Sequence, residues 1–444
     1  MSEQSPLAIG KRLIEEGRFE EAIATLEPAF RSPKTVARVW VGFQLGKALR
    51  RTAEFSRALD VLRETAQCIE TVGQSQEWIS KQRMAIFGLA SWCLWDRDVA
   101  QVEDANLLFD AATKIHRTLV SGGLDLFEEP SPFVIAALKA AKFGLEASRG
   151  AEVVKLLDLL DPKQLAAKRV TLQSGDEMAS ARERWYELRA KALILTERWE
   201  EAVVFCEQGQ GAGLHHQIAY TLGYRRAQAL TGMGRREEAI KALVALLRTR
   251  REWWVQSELA ENQWALGHRK KAIVTASAAI VDTGIDERSA RKLLTLACWL
   301  AEEGNSKFGT LVAALIRQIW VDRGWRIKGE VMQQLQSLPK AAEEVQLVTD
   351  ALSREVRREL WSVLDQYDPP LIGVASRILP NGRALFLKVD GRPNDVFARM
   401  PRAPIQIGQQ VSFRLVDSFD FKRNEESQSA IHLKVLGPER RGMK

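Results

Sequence analysis

Between residues 3 and 286 one pattern returns at intervals of roughly 34 residues, and a chain built this way buries its apolar faces only by stacking one copy on the next. Each copy sets a small residue upstream of a Gly-x-aromatic-x-x-Ala step, which Ile, Leu or Val then follows. The first, near residues 3–36, fills these places with Ile9-Gly10, Leu13, Gly17, Phe19, Ala22-Ile23, Leu26 and Ala29. The second, near 39–72, has Leu45-Gly46, Leu49, Phe55, Ala58-Leu59 and Leu62. Three further copies lie near 183–216 (Ala190, Trp199, Ala202-Val203), 220–253 (Ala227, Leu230, Gly234, Ala239-Ile240, Leu243) and 253–286 (Leu259-Ala260, Gly267, Ala272-Ile273, Ala279). Residues 78–115 and 133–162 have the form of degenerate copies between them.

The spacing predicts helix pairs in which Gly and Ala allow close approach while the larger aliphatics fill the gaps. It resembles the tetratricopeptide repeat (TPR), over residues 1–338. That resemblance implies a mainly α fold, a right-handed α-solenoid whose inner groove is lined by the first helix of each pair and holds a protein partner. In this register Trp40, Phe43, Lys47, Arg50 and Arg51 face the groove from the second copy, and Tyr224, Gln228, Trp254, Glu261 and Trp264 from later ones. Aromatic and Arg side chains are the residues that binding hot spots favour. For Trp254 and Trp264, packing between repeats is the equal alternative. The Asn of family members that bind chaperone carboxylates is missing from the first-helix places of the first two copies, so that activity is not carried over.

Atypical helical runs bearing Trp299 and Trp320 continue from Ser289 to Leu338. Residues 339–370 then form a capping segment: Val345, Val348, Leu352, Val356, Leu360 and Leu364 step by three and four along one amphipathic helix over 341–367, which Asp368-Pro369-Pro370 ends. From Leu371 the period changes to two. LIGVASRIL, GRALFLKVD, DVFARM, QQVSFRLVDSF and SAIHLKVL are separated by Pro380-Asn381-Gly382, by Gly391 to Asn394 and by a polar stretch from Lys422 to Gln428. Five short alternating runs punctuated in this way predict a small five-stranded antiparallel β-barrel over 371–437, followed by a basic tail at 438–444.

The order of these strands resembles the cold-shock domain, a single-stranded nucleic-acid binder of the OB type. Gly373-Val374-Ala375, Ala384-Leu385-Phe386-Leu387, Val396-Phe397-Ala398-Arg399-Met400 and Ala430-Ile431-His432-Leu433 stand at its successive motifs, and the most specific match runs from Ile407 to Asp417. Three of the family's stacking groups are replaced: its first-strand Trp by Arg377, a Phe by Ala384 and its His by Arg399. The resemblance thus leaves Phe386 and Phe397 as base platforms, with Arg377, Arg383, Lys388 and Arg399 to neutralise phosphate or to stack by their guanidinium planes. It implies weak sequence preference, steep salt dependence and RNA more than DNA as the ligand. The alternative is a barrel that has lost its ligand and serves as a protein-binding scaffold. By analogy, a repeat array joined to such a barrel is found in accessory proteins of bacterial defence systems.

Charge is distributed unevenly. Residues 214–340 carry 20 Lys/Arg against 12 Asp/Glu and residues 371–444 carry 13 against 7, although the whole chain is only +7, so a polyanion is expected on the later repeats and the barrel. No stretch is long and apolar enough to span a bilayer and the N-terminus lacks a secretory h-region, which points to a cytoplasmic protein with no membrane partner. Cys68, Cys93, Cys206 and Cys298 are far apart without metal spacing and are expected as free thiols. The five His residues, with no phosphate-binding loop or nucleophile elbow elsewhere, suggest neither an enzyme nor a cofactor. His215-His216, beside a Gly-rich loop, is taken as a repeat boundary.

Overall fold

The computed structural model describes residues 5–31, 36–284, 290–324, 329–338, 349–420 and 425–436. It divides into two compact units, Met1–Leu222 and Gly223–Lys444.

The first unit is a succession of helix pairs: α1 (Pro6–Glu15) with α2 (Phe19–Phe30), α3 (Val36–Arg51) with α4 (Phe55–Ile69), α5 (Gln76–Asp98) with α6 (Ala105–Ser121), and α7 (Pro132–Glu146) with α8 (Gly150–Leu157). After a two-stranded hairpin, β1 (Val170–Thr171) and β2 (Glu177–Met178), come α9 (Ala181–Leu195), α10 (Trp199–Gln210) and the start of α11 (His216–Gly232). The repeated small residues act as expected. A Cβ added at Gly10 would lie 2.5 Å from the Leu26 side chain, and one at Gly46 would lie 2.8 Å from Leu62, so the same contact recurs in two successive copies. In the α1–α2, α3–α4, α7–α8 and α9–α10 pairs the turn places one residue at positive φ two positions before the second helix. Gly17 takes it at φ 78° in the first copy, whereas Ala53 (61°) and Glu197 (57°) take it in others against the preference of a residue with a Cβ. Leu13, Leu26, Leu45, Leu49 and Leu62 form the buried seam. Farther along, Ser180 and Glu183 make a reciprocal cap at the start of α9, and the Glu183 carboxylate also accepts the His215 N–H at 3.1 Å, which ties the His215-His216 boundary down.

The second unit continues with the rest of α11, then α12 (Arg236–Thr249), α13 (Trp253–Ala265), α14 (Arg269–Thr283), α15 (Ala290–Glu302), α16 (Ser306–Asp322), α17 (Gly329–Ser337) and α18 (Thr349–Tyr367). The amphipathic stripe of α18, Leu352, Val356 and Leu360, is buried against α14 and α16 in one core with Ile273, Leu294 and Phe308. Val345 and Val348 of the predicted capping helix lie outside the described residues, as does the tail 438–444.

Five strands follow: β3 (Leu371–Ile378), β4 (Ala384–Lys388), β5 (Val396–Arg399), β6 (Gln410–Asp420) and β7 (Glu425–Val435). They close into a barrel in the order β3-β4-β5-β7-β6. The expectation of a purely antiparallel barrel is corrected, because β5 and β7 pair in parallel, Phe397 with Ser429 and Ala398 with Ala430. The reason is arithmetic. A closed ring with an odd number of strands cannot alternate direction all the way round, so one parallel pair is unavoidable. Leu385, Leu387, Val396, Ala398, Val411 and Phe413 fill the interior. Gly373 is required where β3 meets β4, since a Cβ there would fall 2.8 Å from the Lys388 carbonyl oxygen.

Candidate functional site

The alternation of β4 and β5 sets Leu385, Leu387, Val396 and Ala398 inward and presents Phe386, Lys388, Phe397 and Arg399 on the outer face. Phe386 and Phe397 are direct cross-strand partners, half-buried, with ring centroids 5.8 Å apart and planes at 73°. Arg377 of β3 pairs with Phe386 and lays its guanidinium 4.3 Å from the ring centroid. Lys388, Arg399 and Arg383 are exposed, the last beside the turn where Asn381 accepts the Arg383 N–H at 3.0 Å. The structure therefore sets Phe386, Phe397, Arg377, Lys388 and Arg399 on one outer face, whereas Arg383 lies in the turn before β4. Among the described residues, none of the four cations has a carboxylate partner.

The other side of the barrel is covered. Helix α12 packs on β6, and two side chains that sequence reasoning did not assign hold the barrel to the helices. Arg414 of β6, 5% exposed, donates to the Asp368 carbonyl at 3.0 Å, pairs with the Asp365 carboxylate and stands 5.5 Å from the Trp361 ring centroid. His432 of β7 sits at φ 54° with its Nε2 2.9 Å from Asp282 Oδ1, and its ring meets Trp361 edge-on at 5.1 Å. Asp282 also receives Arg251 at 2.9 Å and Gln256 at 3.2 Å. Burial works against its charge, yet the His432 hydrogen bond and the Arg251 guanidinium hold its carboxyl down at about 2. The sequence signal was a charged residue, Arg414, set directly between Phe413 and Leu415.

The residues expected to meet a partner fall into two groups, one in each unit. In the first, Lys11 lies over Trp40 at 5.7 Å and Lys47 over Phe43 at 6.0 Å, while Arg50 is engaged by Asp96 at 2.5 Å and by the Trp92 ring. Lys47 and Arg51 are exposed; Trp40, Phe43 and Arg50 are half-buried. In the second, Tyr224 meets Trp254 edge-on at 4.4 Å and its hydroxyl lies 3.4 Å from Glu258, to which Gln228 also donates at 3.5 Å. Burial, then the neighbouring Glu261, push the Glu258 carboxyl above the ordinary carboxylate range, and Lys292 pairs with Glu261 itself. Trp264 lies apart from that group: it stacks on Trp299 at 4.7 Å and 10°, packed against the core between repeats.

The helical part is an array of helix pairs with a recurring left-handed turn, and it is joined to a closed mixed barrel. Neither a protein-family model nor a curated protein matches the sequence. Among solved structures the chain is similar to a tetratricopeptide repeat protein from Parabacteroides merdae, at 11% identity over 66% of this chain and 96% of that one, with a TM-score of 0.29. It is also similar to a Rap protein complexed with competence and sporulation factor, at 12% identity over 82% of this chain and 98% of that one, with a TM-score of 0.34. Likenesses this loose carry no argument about function, which rests on the residues of this chain. No helix among the described residues is long and apolar enough to cross a membrane.

Proposed function

We propose that the chain is a non-enzymatic adaptor that holds a protein partner on its helical repeats and binds single-stranded nucleic acid, RNA in preference to DNA, on an OB-type barrel. One observation carries the nucleic-acid half: two half-exposed Phe rings share an outer face with Arg377, Lys388 and Arg399, which no carboxylate of the described residues engages. Surface Arg residues on the helices are commonly paired, as Arg18 is with Glu16 and Glu21. A face of unpaired cations around aromatic rings is the composition that single-strand binding uses, with charge tracking the backbone and rings receiving bases. The strand order and the position of both Phe residues on the second and third barrel strands support the OB reading, because that face of OB folds receives oligonucleotides. Rings inclined at 73° favour unstacked bases over a duplex, whose continuous stack cannot lie on both. The partner half is supported by the exposed Lys47 and Arg51 on α3, where Lys47 lies over Phe43, and by the Tyr224–Trp254–Glu258 cluster.

The test is fluorescence anisotropy of labelled decauridylate, decathymidylate and a duplex DNA against the intact protein and a Phe386→Ala/Phe397→Ala variant at two salt concentrations. We expect single strands to bind, more weakly at high salt, with affinity falling at least about tenfold in the variant. Binding that survives in the variant places the nucleic-acid site elsewhere, and no binding by the intact protein leaves the barrel a protein-binding module.

A further inference from the structure

Arg377 should not be where it is found. Ala375 points into the barrel at 1% exposure, and strict alternation would send the residue two places on, Arg377, to the same side. Instead the register slips: Ala375 faces Leu387 while Arg377 faces Phe386, so two steps along β3 match one along β4. The extra residue, Ser376, has its hydroxyl 3.1 Å from the Phe386 carbonyl and 2.6 Å from the Asp395 carboxylate, which fixes the bulge. The bulge turns Arg377 outward and sets its guanidinium 4.3 Å from the Phe386 centroid. One face of Phe386 is thereby covered by a planar, always-charged group that is itself exposed and has no carboxylate partner among the described residues.

We infer that the stacking shelf at this position is the Arg377 guanidinium, with Phe386 beneath it as a support, so that a bound single strand stacks one base on Arg377 and another on Phe397. The inference rests on the nucleic-acid reading of the barrel and sharpens it. Phe386 supports the guanidinium from beneath; Arg377 supplies both a plane for the base and a charge for the neighbouring phosphate. A Lys at the same place keeps the charge and loses the plane.

The roles separate in equilibrium binding of labelled decauridylate to the full chain and to the Arg377→Lys, Arg377→Ala and Phe386→Leu variants over a series of salt concentrations. Arg377 is exposed, and thermal midpoints should show the variants folded. We expect Arg377→Lys to bind at least about fivefold more weakly at every salt concentration, with the dependence of log affinity on log salt unchanged, because stacking and not charge is lost. Arg377→Ala should lose at least that factor, and more as salt is lowered, because it also flattens that dependence by roughly 0.7, the contribution of one phosphate contact on a single strand. Phe386→Leu should weaken binding less than Arg377→Ala. Two results overturn the inference: tighter binding by Arg377→Ala, which would mean that removing the guanidinium uncovers the true platform, Phe386, or an unchanged affinity in Arg377→Lys, which would make Arg377 a point charge. Failure of the parent protein to bind overturns the nucleic-acid reading itself, and this inference with it.

Discussion

The two sides of the barrel use the same residue type in opposite ways. On β6, Arg414 is 5% exposed and its hydrogen-bonding capacity is spent on Asp365, Asp368 and the Asp368 carbonyl, with Trp361 against it. On β3 and β5, Arg377 and Arg399 are exposed and meet no carboxylate among the described residues. A buried guanidinium is tolerable only when its donors are matched, so the structural role can be recognised by full pairing. An exposed cation beside aromatic rings without a carboxylate contributes little to folding, and its chemistry remains free for a ligand.

Four measurements would break or sharpen this contrast. Replacing Arg414 with Ala should have the largest effect, destabilising the Gly223–Lys444 unit by about 2–3 kcal/mol in denaturant unfolding of the full chain, since charged hydrogen bonds are lost from a buried position. A change below about 0.5 kcal/mol would mean that the docked face is as loose as the free one. Gly373→Ala should cost about 2 kcal/mol by the same measurement, because the added Cβ meets the backbone of Lys388 and the barrel must shift to accept it.

Asp282→Asn should cost about 1 kcal/mol, a value limited by the 30% exposure of the Asp282 side chain. Its pH signature is more specific. The folded carboxyl is held at about 2, below its ordinary 3.8, so the stability that it lends is present above the ordinary value and is lost as pH falls from there towards 2. The acid limb of stability should flatten over that window in the variant. Arg399→Ala should have the smallest effect on folding, within about 0.5 kcal/mol, while lowering the salt dependence of decauridylate binding by roughly 0.7. A large loss of stability there would show that the outer face is structural after all.

The repeats were legible because their information is local. Gly10 and Leu26, or Gly46 and Leu62, lie within one copy, and their contact follows from the close approach of two adjacent helices. The outward placement of Phe386 and Phe397 follows likewise from a period of two on short strands. The turn residues were only half legible: Gly17 announces a left-handed position, whereas Ala53 and Glu197 occupy the equivalent position without doing so. Trp264 was ambiguous in sequence because a groove-facing ring and a ring packed between repeats share the same helical spacing; in the structure it stacks on Trp299.

By itself, then, the sequence determined the helix pairs, the change of period at Leu371 and the number of barrel strands, all of which depend on neighbours along the chain. Tertiary structure alone decided the parallel β5–β7 pair, the docking of the barrel through Arg414 and His432, and the bulge that turns Arg377 onto Phe386. His432 and its partner Asp282 are separated by 150 positions, and no periodicity links them. Closure of an odd-stranded ring and a one-residue slip in register are properties of how strands meet, which no single strand encodes.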